Sequence, residues 1–369
     1  MIYHLINWLI SHGHELPMFR LGRYVTSRSM FAFLTAFLLT VFLGRRIINW
    51  LYTRGIRDTV RDYGVISVED KRGTPTMGGV MIVATAMLGV LLWCDLSNRF
   101  IQLLLFASAW FTCLGAFDDL QKIKHRNSDM GLTRAAKYAL QGGFGLIFGI
   151  LFLHPATTPV PPELASKLFV PFFKDPVIDL SWAYVGVIAM MIIYASNAVN
   201  FADGLDGLAV VPTIFVLVVY GVFAYVLGNA VWSEYLLFDP LPGSSEMAIF
   251  CAAVGGAAVG FLWWNAYPAE VFMGDTGSIF LGGVIGSLIV LTKQEVLFFL
   301  AGGIFFAEIV SVMVQDWIGI QRVGRRFLYR APIHHTFQYW GWSEPKIATR
   351  FWIVSALLAV LSLATLKIR

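Results

Sequence analysis

Apolar residues in this chain gather in long unbroken runs instead of alternating with polar ones. Ten runs stand out, near residues 24–44, 77–95, 99–117, 138–153, 183–200, 208–228, 247–264, 278–292, 295–318 and 351–366. A run of this kind satisfies its backbone hydrogen bonds inside one helix, the form that lipid permits. The polar stretch NFADGLDG separates the fifth run from the sixth and cannot cross lipid without internal partners. The pattern predicts an all-α integral membrane protein of about ten transmembrane helices, with residues 1–369 forming a single polytopic membrane domain. Residues 1–23 start apolar but lack a basic leader and a small-residue cleavage site, and His12, His14, Glu15 and Pro17 interrupt them. An interfacial amphipathic helix is expected there, not a cleavable signal. Segment 154–182, with Pro155, Pro159, Pro161 and Pro162 ahead of LFVPFF, reads as an external loop holding a short hairpin.

Composition narrows the class. Of 369 residues 57% are apolar and 14% charged, against about 25% charged in a soluble domain. Mean hydropathy is +0.70. These values exclude a water-soluble globular enzyme, a disordered tail and a disulfide scaffold. Cys94, Cys113 and Cys251 all lie in apolar runs without metal-ligand spacing and read as small core residues. Net charge is +4, which in a membrane protein reports on loop sidedness; no nucleic-acid partner is expected. Of the 27 Lys and Arg, eighteen fall in alternate loops, among them Arg45, Arg46, Lys71, Arg72, Lys122, Lys124, Lys137 and Arg322 to Arg350. That bias places those loops in the cytoplasm and both termini in the periplasm. Segment 154–182 is then periplasmic and 319–350 cytoplasmic.

Five acids fall at the cytoplasmic ends of the runs. Asp118 and Asp119 close the third, Asp203 and Asp206 lie between the fifth and sixth, and Asp275 between the seventh and eighth. A single acid in such a place reads as a helix cap, and Asp203 and Asp275 precede helical runs. Five on one face, three of them in loops without Lys or Arg, need either a metal or a cationic neighbour from another loop. Oxygen ligands without His or Cys favour Mg²⁺ or Mn²⁺. Glycine-bearing loops KRGTPTMGG, DGLDG and MGDTGS lead into the neighbouring runs, where helix N-termini can bind an anion. With the nearby lysines these features describe a diphosphate site on the cytoplasmic face. His334 and His335 are adjacent in RAPIHHTFQYWGW; in an extended segment their side chains would point apart. Glu308 lies mid-run, where an acid must pair inside the bundle.

KRGTPTMGG, AFDDLQK, SNAVNFADGLDGLA, WNAYPAEVFMGDTGS and APIHH occur in that order. Together they resemble the phospho-N-acetylmuramoyl-pentapeptide-transferase family over nearly the whole chain. The resemblance implies transfer of phospho-N-acetylmuramoyl-pentapeptide from UDP-MurNAc-pentapeptide to undecaprenyl phosphate, giving lipid I and UMP in peptidoglycan synthesis. It also implies Mg²⁺, a multi-pass location in the bacterial inner membrane among membrane lipid, and a homodimer. By the same resemblance Asp118, Asp119, Asp275, Lys137, His334 and His335 are the catalytic positions, with Asp275 the metal ligand. Lys71, Asn197, Asn200, Asp203, Gly204, Asp206, Asn265, Phe272 and Gln315 match positions that hold the nucleotide or shape its pocket. Thr336 stands where the family usually has a third histidine, Leu120 where Tyr is common, and Phe201–Ala202 where Leu-Thr is common. Two rivals remain. A sister transferase of GlcNAc-1-phosphate would share the acids but not KRGTPTMGG together with PIHH. A transporter would carry its ionisable groups near midplane.

Overall fold

The computed structural model describes all residues except 14–18, 20, 58–72, 126–129, 172, 174 and 369. Lys71 therefore lies outside the described residues. Helix α1 (Ile2–Ser11) is followed by α2 (Val25–Thr53), α3 (Gly79–Trp93), α4 (Arg99–His125) and α5 (Arg134–Leu153). After the short α6 (Pro162–Ala165), strands β1 (Lys167–Leu168) and β2 (Ile178–Asp179) pair antiparallel with Lys167 opposite Asp179, the hairpin that the proline-rich segment suggested. Then come α7 (Tyr184–Ala202), α8 (Val210–Leu227), α9 (Ala230–Tyr235), α10 (Glu246–Asn265) and α11 (Gly274–Leu291). The chain closes with α12 (Phe298–Ala301), α13 (Gly303–Met313), α14 (Ile333–Tyr339) and α15 (Glu344–Ala364). Among the described residues nine helices are long and apolar enough to cross a membrane; α3, at 15 residues, occupies the second expected run.

Helix α11 is the axis of the bundle. Every residue from Thr276 to Leu291 is buried, and α3, α4 and α7 all pack on it. A helix apolar on all sides has no lipid face to present, so it belongs at the centre. Small residues along it, among them Gly282 and Ser287, let neighbouring backbones approach. Helix α10 makes a second hub against α2, α3 and α8. At that end of α10, Arg28 donates to Glu246 at 2.5 Å and to the Trp93 carbonyl at 3.2 Å. The Tyr3 ring lies 4.1 Å from the Arg28 guanidinium and ties α1 to the bundle.

Four details depart from the sequence reading. Helix α4 continues to His125, so Asp118 and Asp119 sit inside a helix and not at its end. Lys122, Lys124 and His125 in its last turn suit the negative end of the helix dipole. Asp203 closes α7 and caps no following helix, since α8 begins at Val210. The ninth run breaks at Gly302, and α13 continues as a π-helix, Val314–Val323. Cys94 and Cys251 are buried as expected, but Cys113 is exposed on the surface of α4.

Candidate active site

Asp118, Asp119 and Asp275 meet where the end of α4 crosses the start of α11, their ligand oxygens all within 4.8 Å of one another. Backbone approach makes this possible. A side chain on Gly115 would place its Cβ 2.3 Å from the Asp275 carbonyl. Gly274, at φ +71, takes a left-handed conformation that most residues avoid, and a Cβ there would lie 2.8 Å from Asp119 Oδ2.

The three acids have different partners. Asp119 accepts from the backbone N–H of Asp275 at 3.0 Å and of Thr276 at 2.8 Å, and from the Thr276 hydroxyl at 2.6 Å. It is therefore the cap of α11, supplied by another helix. Asp118 is fully buried and accepts the Leu132 N–H at 2.6 Å. Its other oxygen, Oδ2, lies 2.7 Å from Lys122 Nζ and 3.1 Å from Lys137 Nζ. The same two ammoniums reach Asp275 Oδ2, Lys137 at 2.5 Å and Lys122 at 3.1 Å. Asn200 donates to Asp275 Oδ1 at 3.1 Å and to the Ser278 hydroxyl at 2.8 Å. Asp118 and Asp275 thus share two lysines, while Asp119 is taken up by the start of α11. Clustered hard oxygen donors without His or Cys suit a divalent cation such as Mg²⁺, so the residues fit such an ion.

Several N–H groups of the glycine loops already have partners within the protein. The N–H groups at the start of α11 go to Asp119, while Gly78 and Gly79 donate to the Phe272 and Met273 carbonyls, both at 2.8 Å. Gly207 N–H goes to Asn265 Oδ1 at 3.0 Å. The anion expected at these ends is, for α11, a carboxylate of the protein itself.

A second group of expected positions gathers around the 203–207 turn. Asn265 also donates to the Val271 carbonyl at 2.8 Å, and Asp206 accepts from the Ala269 N–H at 3.1 Å. The 266–273 loop so joined carries Phe272, whose N–H donates to the Pro75 carbonyl at 2.8 Å. Behind the turn, Trp352 donates to the Gly207 carbonyl at 3.1 Å, and the His334 ring abuts Gly204. His334 and His335 lie in helix α14, not in an extended segment, so their rings are neighbours with centroids 4.2 Å apart. His334 is fully buried. Burial, and then the neighbouring His334, push His335 down to about 4.

Two expected positions stand apart from these groups. Asn197 donates to Gln141 Oε1 at 2.6 Å, between α7 and α5. Gln315 spends its amide on the 327–328 backbone, accepting both N–H groups and donating to the Leu328 carbonyl at 3.0 Å. Sequence reasoning counted Lys122 among the lysines of a diphosphate site but not as the partner of Asp118 and Asp275, and it missed Thr276 and Ser278. The spacing of four residues from Asp118 to Lys122 on one helix face was the available signal; for the two hydroxyls there was none.

Acids and lysines held together at one edge of an apolar helix bundle, with residues 100–293 matching the family model for glycosyl transferase family 4, define a polytopic membrane transferase. A 45% identical relative over the full length of both chains is a phospho-N-acetylmuramoyl-pentapeptide-transferase from Desulfosudis oleivorans. Relatives of the same name from Phenylobacterium zucineum and Desulfovibrio desulfuricans are each 42% identical, over 100% and 98% of this chain and 100% and 99% of their own. Residues 71–83 match the first signature of that name. The chain belongs to the phospho-N-acetylmuramoyl-pentapeptide-transferase family.

Proposed function

We propose that this protein transfers phospho-N-acetylmuramoyl-pentapeptide from UDP-MurNAc-pentapeptide to undecaprenyl phosphate, forming lipid I and releasing UMP. Family membership at 45% identity over the whole chain is the observation that carries this reading; the acid–lysine cluster supplies chemistry suited to it. An oxygen of the lipid phosphate attacks the β-phosphorus of the nucleotide sugar, and the bond from that phosphorus to the UMP oxygen breaks. A phosphate monoester is largely ionised near neutral pH, so the site's task is to align two anions and offset their repulsion. Lys122 and Lys137 provide positive charge at the cluster, and Asp118 with Asp275 would hold Mg²⁺. When bound, that ion supplies neutralisation of charge on the transferring phosphoryl group. Asp119, with three hydrogen bonds into the start of α11, fixes Asp275 in place. Asn200 orients Asp275, while Lys71, Asp203, Gly204, Asp206, Asn265, Phe272, Asn197 and Gln315 hold the nucleotide or shape its pocket. The site faces the cytoplasm, and the protein works as a homodimer in the inner membrane. Turnover of UDP-MurNAc-pentapeptide by the purified protein, with and without Mg²⁺, tests the reading. Activity that requires the ion supports it; turnover of UDP-GlcNAc in its place would transfer the protein to the sister class.

A further inference from the structure

Glu308 lies in the middle of α13 and is fully buried, as is His334. Glu308 Oε1 and His334 Nδ1 are 3.1 Å apart, within ion-pair distance but not aligned as a hydrogen bond. An acid at such depth is costly in a membrane protein and calls for a partner, and the imidazole is that partner. The other ring nitrogen, Nε2, presses on the 203–207 turn: a Cβ on Gly204 would sit 2.3 Å from it. Around this contact the packing is apolar, built from Leu205, Leu208, Ile304, Ile347 and Phe351. A buried polar pair adds little net stability over apolar side chains of equal volume, and here it fixes geometry. The pair joins α13 and α14 to the turn from behind, while Asn265 and Asp206 hold the turn from the front.

We propose that Glu308 is a positioning residue for nucleotide binding, holding the His334 ring against Gly204 and thereby setting the 203–207 turn. The inference rests on the reading that this turn holds the uridine nucleotide. It predicts a selective effect, because the acid–lysine cluster is anchored separately through Asp119 and Asn200.

Purified full-length Glu308→Leu, Glu308→Gln and Glu308→Asp test it, with nucleotide sugar and undecaprenyl phosphate varied separately. Glu308→Leu is expected to raise KM for UDP-MurNAc-pentapeptide at least about 10-fold, with kcat within about 3-fold and the lipid KM unchanged. Glu308→Gln keeps an acceptor oxygen and recovers most of that loss. Glu308→Asp withdraws the carboxylate by one methylene; it raises the same KM about 3-fold and decides the question if the leucine variant does not accumulate. Added to His334→Ala, the Glu308→Leu change costs less than about 2-fold more, because both act through one contact. An unmoved nucleotide KM in the folded variants, an equal rise in both KM values, or additivity with His334→Ala would overturn the proposal. A wild-type protein inactive on this nucleotide would instead overturn the functional reading itself.

Discussion

Asp118 and Asp119 are adjacent in sequence and in one cluster, yet they hydrogen-bond to different partners. Asp119 is occupied by the N–H groups of another helix, whereas Asp118 and Asp275 share two lysines between them. Asp275→Asn keeps the size of the side chain and removes its charge, leaving both ammoniums with a single carboxylate. It is expected to lower turnover more than about 10-fold, at least about 1.4 kcal/mol of transition-state stabilisation, while thermal unfolding in detergent shows a folded protein. A variant retaining more than a tenth of the wild-type rate would remove Asp275 from the metal site. His335 offers a test by pH. Its ring binds a proton at about 4 in the folded protein and near 6.5 when unfolded. Between those values the unfolded chain binds more protons, so stability falls as pH drops from about 6.5 towards 4. His335→Gln should flatten that limb of a Tm-against-pH series; an unchanged slope would show that the ring's burial is not its cause.

Helices were easier to read than the contacts between them. Long apolar runs revealed the spans because lipid leaves the backbone no other course. The break at Gly302 was hidden, since hydropathy is blind to an interruption of the helix within an apolar stretch. Asp118, Asp119 and Asp275 were readable as a group because they fall at run ends that the loop charges assign to one face. The cap that Asp119 gives to α11 was not readable, because it depends on how closely α4 and α11 approach. That approach depends on Gly115. Gly115→Ala forces a methyl group towards the Asp275 backbone, at a cost of about 1–3 kcal/mol for overpacking. Turnover should fall at least about 10-fold with the protein still inserted. Gly143→Ala on α5, where a Cβ meets nothing within 4 Å, should leave the rate near wild type. Equal behaviour of the two variants would mean that the crossing of α4 and α11 does not set the site.

Across the bundle, the acid cluster gathers at one end, and the Arg28–Glu246 pair closes the other. The sidedness of those ends was argued from eighteen basic residues in alternate loops, and it has a direct check. A reporter fused after His125 should read cytoplasmic, and one inserted within 155–165 should read periplasmic. The opposite pattern would turn the proposed site away from any nucleotide made inside the cell.

The acids that form the site are also far apart in time. Asp119 and the helix it caps are separated by 156 residues, on the order of ten seconds of synthesis at about 5–20 residues per second. Throughout that interval α4 stands in the bilayer with its carboxylates and without α11. Lys122 is already present one turn along the same helix, and Lys137 follows with the next span. The nascent chain therefore carries its own counter-ions, and the two lysines can shield Asp118 before the third carboxylate emerges from the ribosome.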